Sequence, residues 1–109
     1  MAREKFQTLS EPMYYILLSL TKACCGVDIM KKVLEISNNR VLVGPGTLYA
    51  LLAKFEKAGI INAIETEGTR KTYIISDYGK RLIKEEYSRL MTMVSEGKCF
   101  VGVIGGEEK

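Results

Sequence analysis

The sequence predicts a mainly α (α+β) fold: three small helices, a two-stranded hairpin and a closing helix. Three observations predict it. Apolar residues recur at helical spacing in four segments. The period shifts to that of strands between residues 60 and 75, around a glycine-containing turn. Caps and breakers stand at the joins between these segments.

The first helix is expected after Ser10-Glu11-Pro12, because serine is a good N-cap and proline is tolerated in a first turn. Met13, Ile16, Leu17 and Leu20 form its apolar stripe, and its end is expected between Ala23 and Gly26. A second helix is expected over residues 27–37. Ile29, Met30, Val33 and Leu34 face inward, Lys31, Lys32 and Glu35 face outward, and Asn38-Asn39 breaks it. Residues 40–43, Arg-Val-Leu-Val, read as a short strand. Gly44 can cap a third helix whose first residue, Pro45, loses nothing by lacking an N–H. Leu48, Leu51, Leu52 and Phe55 must face the core, which leaves Thr47, Tyr49, Lys54 and Lys57 outside. Gly59 suits the left-handed residue that closes such a helix. "IINAIET" and "KTYIIS" flank "EGTR" as a hairpin, and Ser76 caps a last helix. Ile83, Tyr87, Leu90, Met91 and Val94 form the apolar face of that helix, whose end is expected by Gly97.

The 109 residues suit one domain with a modest core, and 47% hydrophobic with 27% charged residues is a globular balance. The net charge of +3 permits a polyanionic partner without demanding one. Histidine is absent and only two aspartates occur, Asp28 and Asp77. The commonest general base and metal ligand is therefore missing, so neither an enzyme, a metal site nor a cofactor is expected. The start is too polar for a secretory signal, and no apolar run reaches the roughly 20 residues of a membrane span. A cytoplasmic protein with reduced thiols is the default for Cys24, Cys25 and Cys99, read as small hydrophobes with no CxxC pair.

Helix, helix, short strand, helix, hairpin, helix is the plan of a winged helix-turn-helix. In that plan the third helix enters the major groove of double-stranded DNA and the hairpin lies over the backbone beside it. Small residues at Gly44 and Gly46 let the start of the third helix come close to phosphates, and its free N–H groups suit an anion. Thr47 and Tyr49 can donate hydroxyl hydrogen bonds. Lys54 and Lys57 can reach backbone or base edges, and Arg70 and Lys71 supply charge near the wing tip. Each has a plainer reading, an exposed aromatic or a solvated lysine, and Glu65 and Glu67 weaken the field around Arg70. The last helix has little of its own domain left to cover. Tyr87, Leu90, Met91 and Val94 are therefore expected to meet a second copy of the chain.

The stretches "CGVDIMKKV" (25–33), "GTLYALLAKFEKAGI" (46–60) and "TRKTYIISDYGKRLI" (69–83) resemble the PadR-type transcriptional regulators, in the short form with a single C-terminal helix. The similarity runs from about Leu9 to Leu90. G-T-L-Y followed by E-x-x-G-I is its most specific part. Cys25-Gly26-Val27 stands where the family has His-Gly-Tyr, Ala50 where it has proline, and Thr72 and Ile74 where an aromatic and often a basic residue are usual. The resemblance implies dimerisation through the last helix, repression of a nearby gene, and release by a small-molecule effector. The family's stacking of ligands on a tryptophan cannot be carried over, since the chain has none. A flat aromatic or other apolar compound near the last helix, at the dimer interface, is the expected effector, with its site residues unassigned. The expected organisation is a DNA-binding unit over 1–76, a dimerisation helix over 77–97 and an unassigned tail over 98–109. The rival reading is a winged-helix module that binds a protein partner, since fold alone does not decide.

Overall fold

The computed structural model describes residues 8–64 and 71–105. Helix α1 (Glu11–Ser19) begins where expected: Ser10 is extended, and its Oγ accepts from the Met13 N–H at 3.4 Å. Ile16, Leu17 and Leu20 are wholly buried. The helix stops earlier than the periodicity suggests. Ser19 Oγ donates to the Ile16 carbonyl at 2.6 Å and Thr21 Oγ1 to that of Leu18 at 2.9 Å, so side-chain hydroxyls compete for carbonyls at the helix end. Cys24 and Cys25, expected within or just past this helix, instead form strand β1 (Cys24–Cys25).

Helix α2 (Gly26–Ile36) buries Ile29 and Val33, and is broken by Asn38 and Asn39, with φ of 56° and 63°. Asparagine tolerates that left-handed region better than most residues. The strand expected over 40–43 does not form. Val41 and Val43 are buried and Leu42 points out, as in a strand, but no strand of the described residues pairs with them. Ser37 Oγ instead accepts the Val41 N–H at 3.0 Å.

Helix α3 (Pro45–Lys57) is capped by Gly44 and buries Leu48, Leu52 and Phe55. Its end is a Schellman closure: Ile60 N–H donates to the Phe55 carbonyl at 2.8 Å, Gly59 N–H to that of Glu56 at 3.1 Å, and Gly59 has φ of 79°. Strands β2 (Ile61–Ile64) and β3 (Thr72–Ile75) make the hairpin. The antiparallel sheet has the order β1-β3-β2, with Cys24 opposite Tyr73 and Ile61 opposite Ile75. The turn at 65–70, with Arg70, lies outside the described residues.

Helix α4 (Asp77–Gly105) is capped by Ser76, whose Oγ accepts from Gly79 N–H at 3.1 Å and donates to the Gly59 carbonyl at 2.6 Å. Gly79 lets α4 lie on the end of α3. A Cβ there would stand 2.4 Å from the Ile60 carbonyl oxygen and 2.6 Å from Ile75 Cγ1. The helix does not end at Gly97 but continues through the segment left unassigned, as far as Gly105. An interior glycine costs about 1 kcal/mol, too little to stop a helix with no proline or polar cap beside it.

Glu86 ties α4 to the start of α1. Its side chain is only 3% exposed; it accepts from the Arg89 guanidinium at 2.5 and 3.2 Å, and from the Leu9 N–H at 3.4 Å. The Arg89 guanidinium holds the Glu86 carboxyl below the usual carboxylate range against the opposing effect of burial, and the Leu9 N–H helps. No helix of the described residues is long and apolar enough to cross a membrane.

Candidate nucleic-acid interface

The interface begins where α3 begins. Gly44 is extended, Pro45 has no N–H, and the first helical bond runs from Leu48 N–H to the Gly44 carbonyl at 2.9 Å. The N–H groups of Gly46 and Thr47 therefore precede the hydrogen-bonded ladder, at the positive end of the helix. A Cβ at Gly44 or Gly46 would meet nothing within 4 Å, and neither has a positive φ. Neither the fold's packing nor its backbone requires glycine at either position. What the two glycines leave is a bare end open to an outside surface.

The sequence-predicted residues lie along this helix. Thr47, Lys54 and Lys57 are exposed. Among the described residues neither Lys54 nor Lys57 has an ion-pair partner. Tyr49 is 46% exposed, and its ring lies over Gly26, the first residue of α2. Lys71, exposed just before β3, reaches Glu56 Oε1 at 3.7 Å and stands 5.6 Å from the centre of the Tyr73 ring. The hairpin is thus tied to α3, and part of the Lys71 charge is met within the chain. Sequence reading missed this pairing, because Glu56 and Lys71 are brought together only by the folding of the hairpin. It also missed Leu42, which is 79% exposed just before α3. The buried–exposed–buried alternation of Val41, Leu42 and Val43 was the available signal.

The second surface is the far half of α4. Tyr87, Met91 and Val94 are exposed, and Leu90 is partly covered. The surface runs further than the expected helix end, through Phe100, Val101 and Ile104, with Ile104 82% exposed. Tyr87, Leu90, Val94, Gly97, Val101 and Ile104 alternate three and four residues apart, the spacing that puts side chains on one seam of a helix pair. Continuing the periodicity past Gly97 would have found it.

Between α1 and α4 lies a cleft of about 260 Å³, lined by Leu9, Tyr14, Tyr15, Glu86, Arg89 and Leu90 among others. The rings of Tyr14 and Tyr15 meet edge to face at 5.7 Å. Burial, with the neighbouring Tyr15, Tyr87 and Glu86, pushes the Tyr14 hydroxyl pKa up, so it stays a neutral donor. Arg40 donates to two of the lining residues, to Glu11 at 2.7 Å and to the Tyr15 hydroxyl at 3.0 Å.

Three helices, a small antiparallel sheet with a hairpin beside the third helix, and a projecting fourth helix define a winged helix-turn-helix protein. Residues 16–85 match the sequence model of the Transcriptional regulator PadR-like family, and the chain belongs to that family. It is thus a member of a family of transcriptional regulators, not of enzymes. Solved structures agree on the fold. A transcriptional regulator from Clostridium thermocellum is 23% identical, with a TM-score of 0.69 over 81% of this chain and 89% of its own. RosR of H. salinarum is 20% identical, with a TM-score of 0.63 over 92% and 93%. A PadR family transcriptional regulator from Eggerthella lenta is 22% identical, with a TM-score of 0.65 over 88% and 81%. No curated protein matched the chain.

Proposed function

We propose that the chain is a repressor of a nearby operon that binds a pseudo-palindromic operator as a homodimer. Each subunit puts α3 into the major groove, with Thr47, Tyr49, Lys54 and Lys57 toward phosphates and base edges. Arg70 and Lys71 act from the wing, Arg70 assigned by its place in the sequence alone. Residues up to Ser76 read DNA. The helix that follows joins the copies through Tyr87, Leu90, Met91 and Val94.

The observation that carries this reading is the bare start of α3: two glycines that the fold does not require. A partner surface must come closer there than a side chain allows, and a phosphate is the group to which free N–H groups at a helix start donate best. The apolar seam of α4 supports the dimer, since so many exposed apolar residues in one stripe call for a cover. Two-fold symmetry then sets the half-sites about one helical turn, or a small multiple, apart.

Selection of bound duplexes from a random pool, followed by titration with salt, tests the proposal. The expected result is an enriched inverted repeat whose affinity falls by roughly 0.9 log units per log of salt for each phosphate neutralised. No binding to any duplex at low salt overturns it, and would leave the surface to a protein partner.

Release by a small molecule is a second reading, favoured by the cleft between α1 and α4. It joins the DNA-reading body to the pairing helix, and two tyrosines line it with a buried carboxylate. A flat aromatic or apolar compound seated there would free DNA only by binding the DNA-free form more tightly. A thermal-shift screen of such compounds, repeated on Tyr14→Ala, should give hits that the substitution removes. Hits unaffected by it would place the effector elsewhere.

A further inference from the structure

Gly26 is buried at the first position of α2, and its backbone gives no reason for glycine, since Gly59 is the one described glycine with a positive φ. The reason is steric and comes from another helix. A Cβ on Gly26 would stand 2.3 Å from Tyr49 Oη and 2.8 Å from both Cζ and Cε1 of that ring. The phenol of Tyr49 occupies the space where any other residue would carry its side chain.

The seat is well anchored. Cys25, just before it, is the N-cap of α2 and pairs with Thr72 of the wing hairpin. Cys25 Sγ donates to Asp28 Oδ2 at 3.4 Å across the first turn of α2. Gly26 therefore adjoins the first turn of α2, the wing sheet and the outer face of α3 at once. In helix-turn-helix proteins the helix preceding the recognition helix crosses the DNA backbone. A hydroxyl held between the two helices is well placed to donate to a phosphate there.

We propose that Gly26 is a positioning residue for DNA binding: its missing side chain seats the Tyr49 ring, so that the phenol hydroxyl meets a backbone phosphate at a fixed place. The inference rests on the reading of α3 as the DNA-facing helix. Glycine is needed here for the ring of Tyr49, whereas at Gly46 it is needed for the partner itself. Alanine at Gly26 strikes the far end of a half-exposed side chain, which can swing away into solvent. The body of the fold therefore survives while the hydroxyl is displaced.

The test is a double-mutant cycle on the full chain. Gly26→Ala, Tyr49→Ala and the double variant are measured for thermal unfolding and for affinity to the duplex enriched by wild type. Tyr49→Phe, which keeps the ring and removes only the hydroxyl, is measured beside them. Gly26→Ala and Tyr49→Phe should each weaken binding about tenfold, the loss of one hydrogen bond to a charged oxygen. Each should leave the salt dependence unchanged, because a neutral hydroxyl displaces no counterion. In the Tyr49→Ala background, Gly26→Ala should cost nothing further. Full affinity in Tyr49→Phe overturns the proposal, and so does an equal loss from Gly26→Ala with and without the ring. Should Gly26→Ala alone fail to fold, the Tyr49→Phe measurement and the double variant decide. Absence of any duplex bound by wild type would instead sink the DNA reading beneath it.

Discussion

The winged body and the far half of α4 differ in how far each completes itself. In the body, Ile16, Leu17, Leu20, Ile29, Leu48, Phe55 and Ile60 from three helices and their connections are buried to within 2%. In α4 beyond Leu90 the apolar residues Met91, Met93, Val94, Phe100, Val101, Val103 and Ile104 are all more than half exposed. The chain is as rich in apolar side chains at one end as at the other, but only one end covers them. Composition measures how much apolar surface there is; topology decides whether the same chain can bury it. The arm is the part of the fold whose apolar surface the single chain leaves uncovered, and its length puts much of it beyond reach of the body.

This contrast is most sharply tested by one substitution in each region. Phe55→Ala should remove about 3–5 kcal/mol of unfolding free energy, because a fully enclosed ring leaves a cavity that α3 and the hairpin cannot fill. Urea unfolding monitored by circular dichroism measures it, and a loss under 1 kcal/mol would mean the body is less tightly packed than it looks. Val94→Asp should leave the body folded but weaken pairing of the copies at least 100-fold, about 3 kcal/mol, through burial of an unpaired carboxylate. Sedimentation equilibrium reads the mass. Unfolding of the whole chain by this change would erase the distinction between the regions, since the body would then depend on the arm's partner.

A smaller effect is expected at the join. Glu86 fastens the arm to the segment before α1, and its carboxyl is held below the ordinary range by Arg89. A carboxylate with a depressed folded-state pKa contributes stability that is fully present above its unfolded value and lost as pH falls through the folded one. Stability should therefore decline below about pH 4.5. Glu86→Gln should flatten that decline and cost about 1–2 kcal/mol at neutral pH. Urea midpoints between about pH 3 and 7 give the comparison, and an identical decline in the variant would assign it to other carboxylates.

The smallest change, and one of opposite sign, belongs to the start of α3. Gly46→Ala adds a methyl group to open space in a helix and should raise stability by about 0.5–1 kcal/mol. It should weaken DNA binding at the same time. Thermal unfolding and fluorescence anisotropy on the selected duplex separate the two, and a variant both more stable and equally tight would show that the bare helix end is not a contact.

Much of the body was legible in the sequence because its signals are local. Ser10, Ser76, Gly44 and Gly59 stand where capping chemistry puts them, and Asn38-Asn39 takes the left-handed turn that breaks α2. The inward faces of α2 and α3 follow from spacing alone. The ends of α1 and α4 were misplaced on local signals, whereas the strand errors lie where contacts distant in sequence decided between local patterns. Cys24-Cys25 became a strand because Tyr73 and Thr72 lie opposite, and residues 40–43 did not because no edge was offered. Of the candidate site, the exposure of Thr47, Tyr49, Lys54 and Lys57 could be read from helical period. The pairing of Lys71 with Glu56 and the seat of Tyr49 on Gly26 could not.

The sequence alone determined the number and order of the helices, the hairpin, the capped start of α3 and the family to which the chain belongs. These depend on side chains within a few turns of one another, whose spacing is the same folded or unfolded. Tertiary structure decided the rest: which short apolar stretch joins the sheet, which glycine is a seat and which is an opening, and how much of α4 is left uncovered. Those outcomes turn on distances between residues far apart in the chain, set only when α2, α3 and the hairpin close around one core.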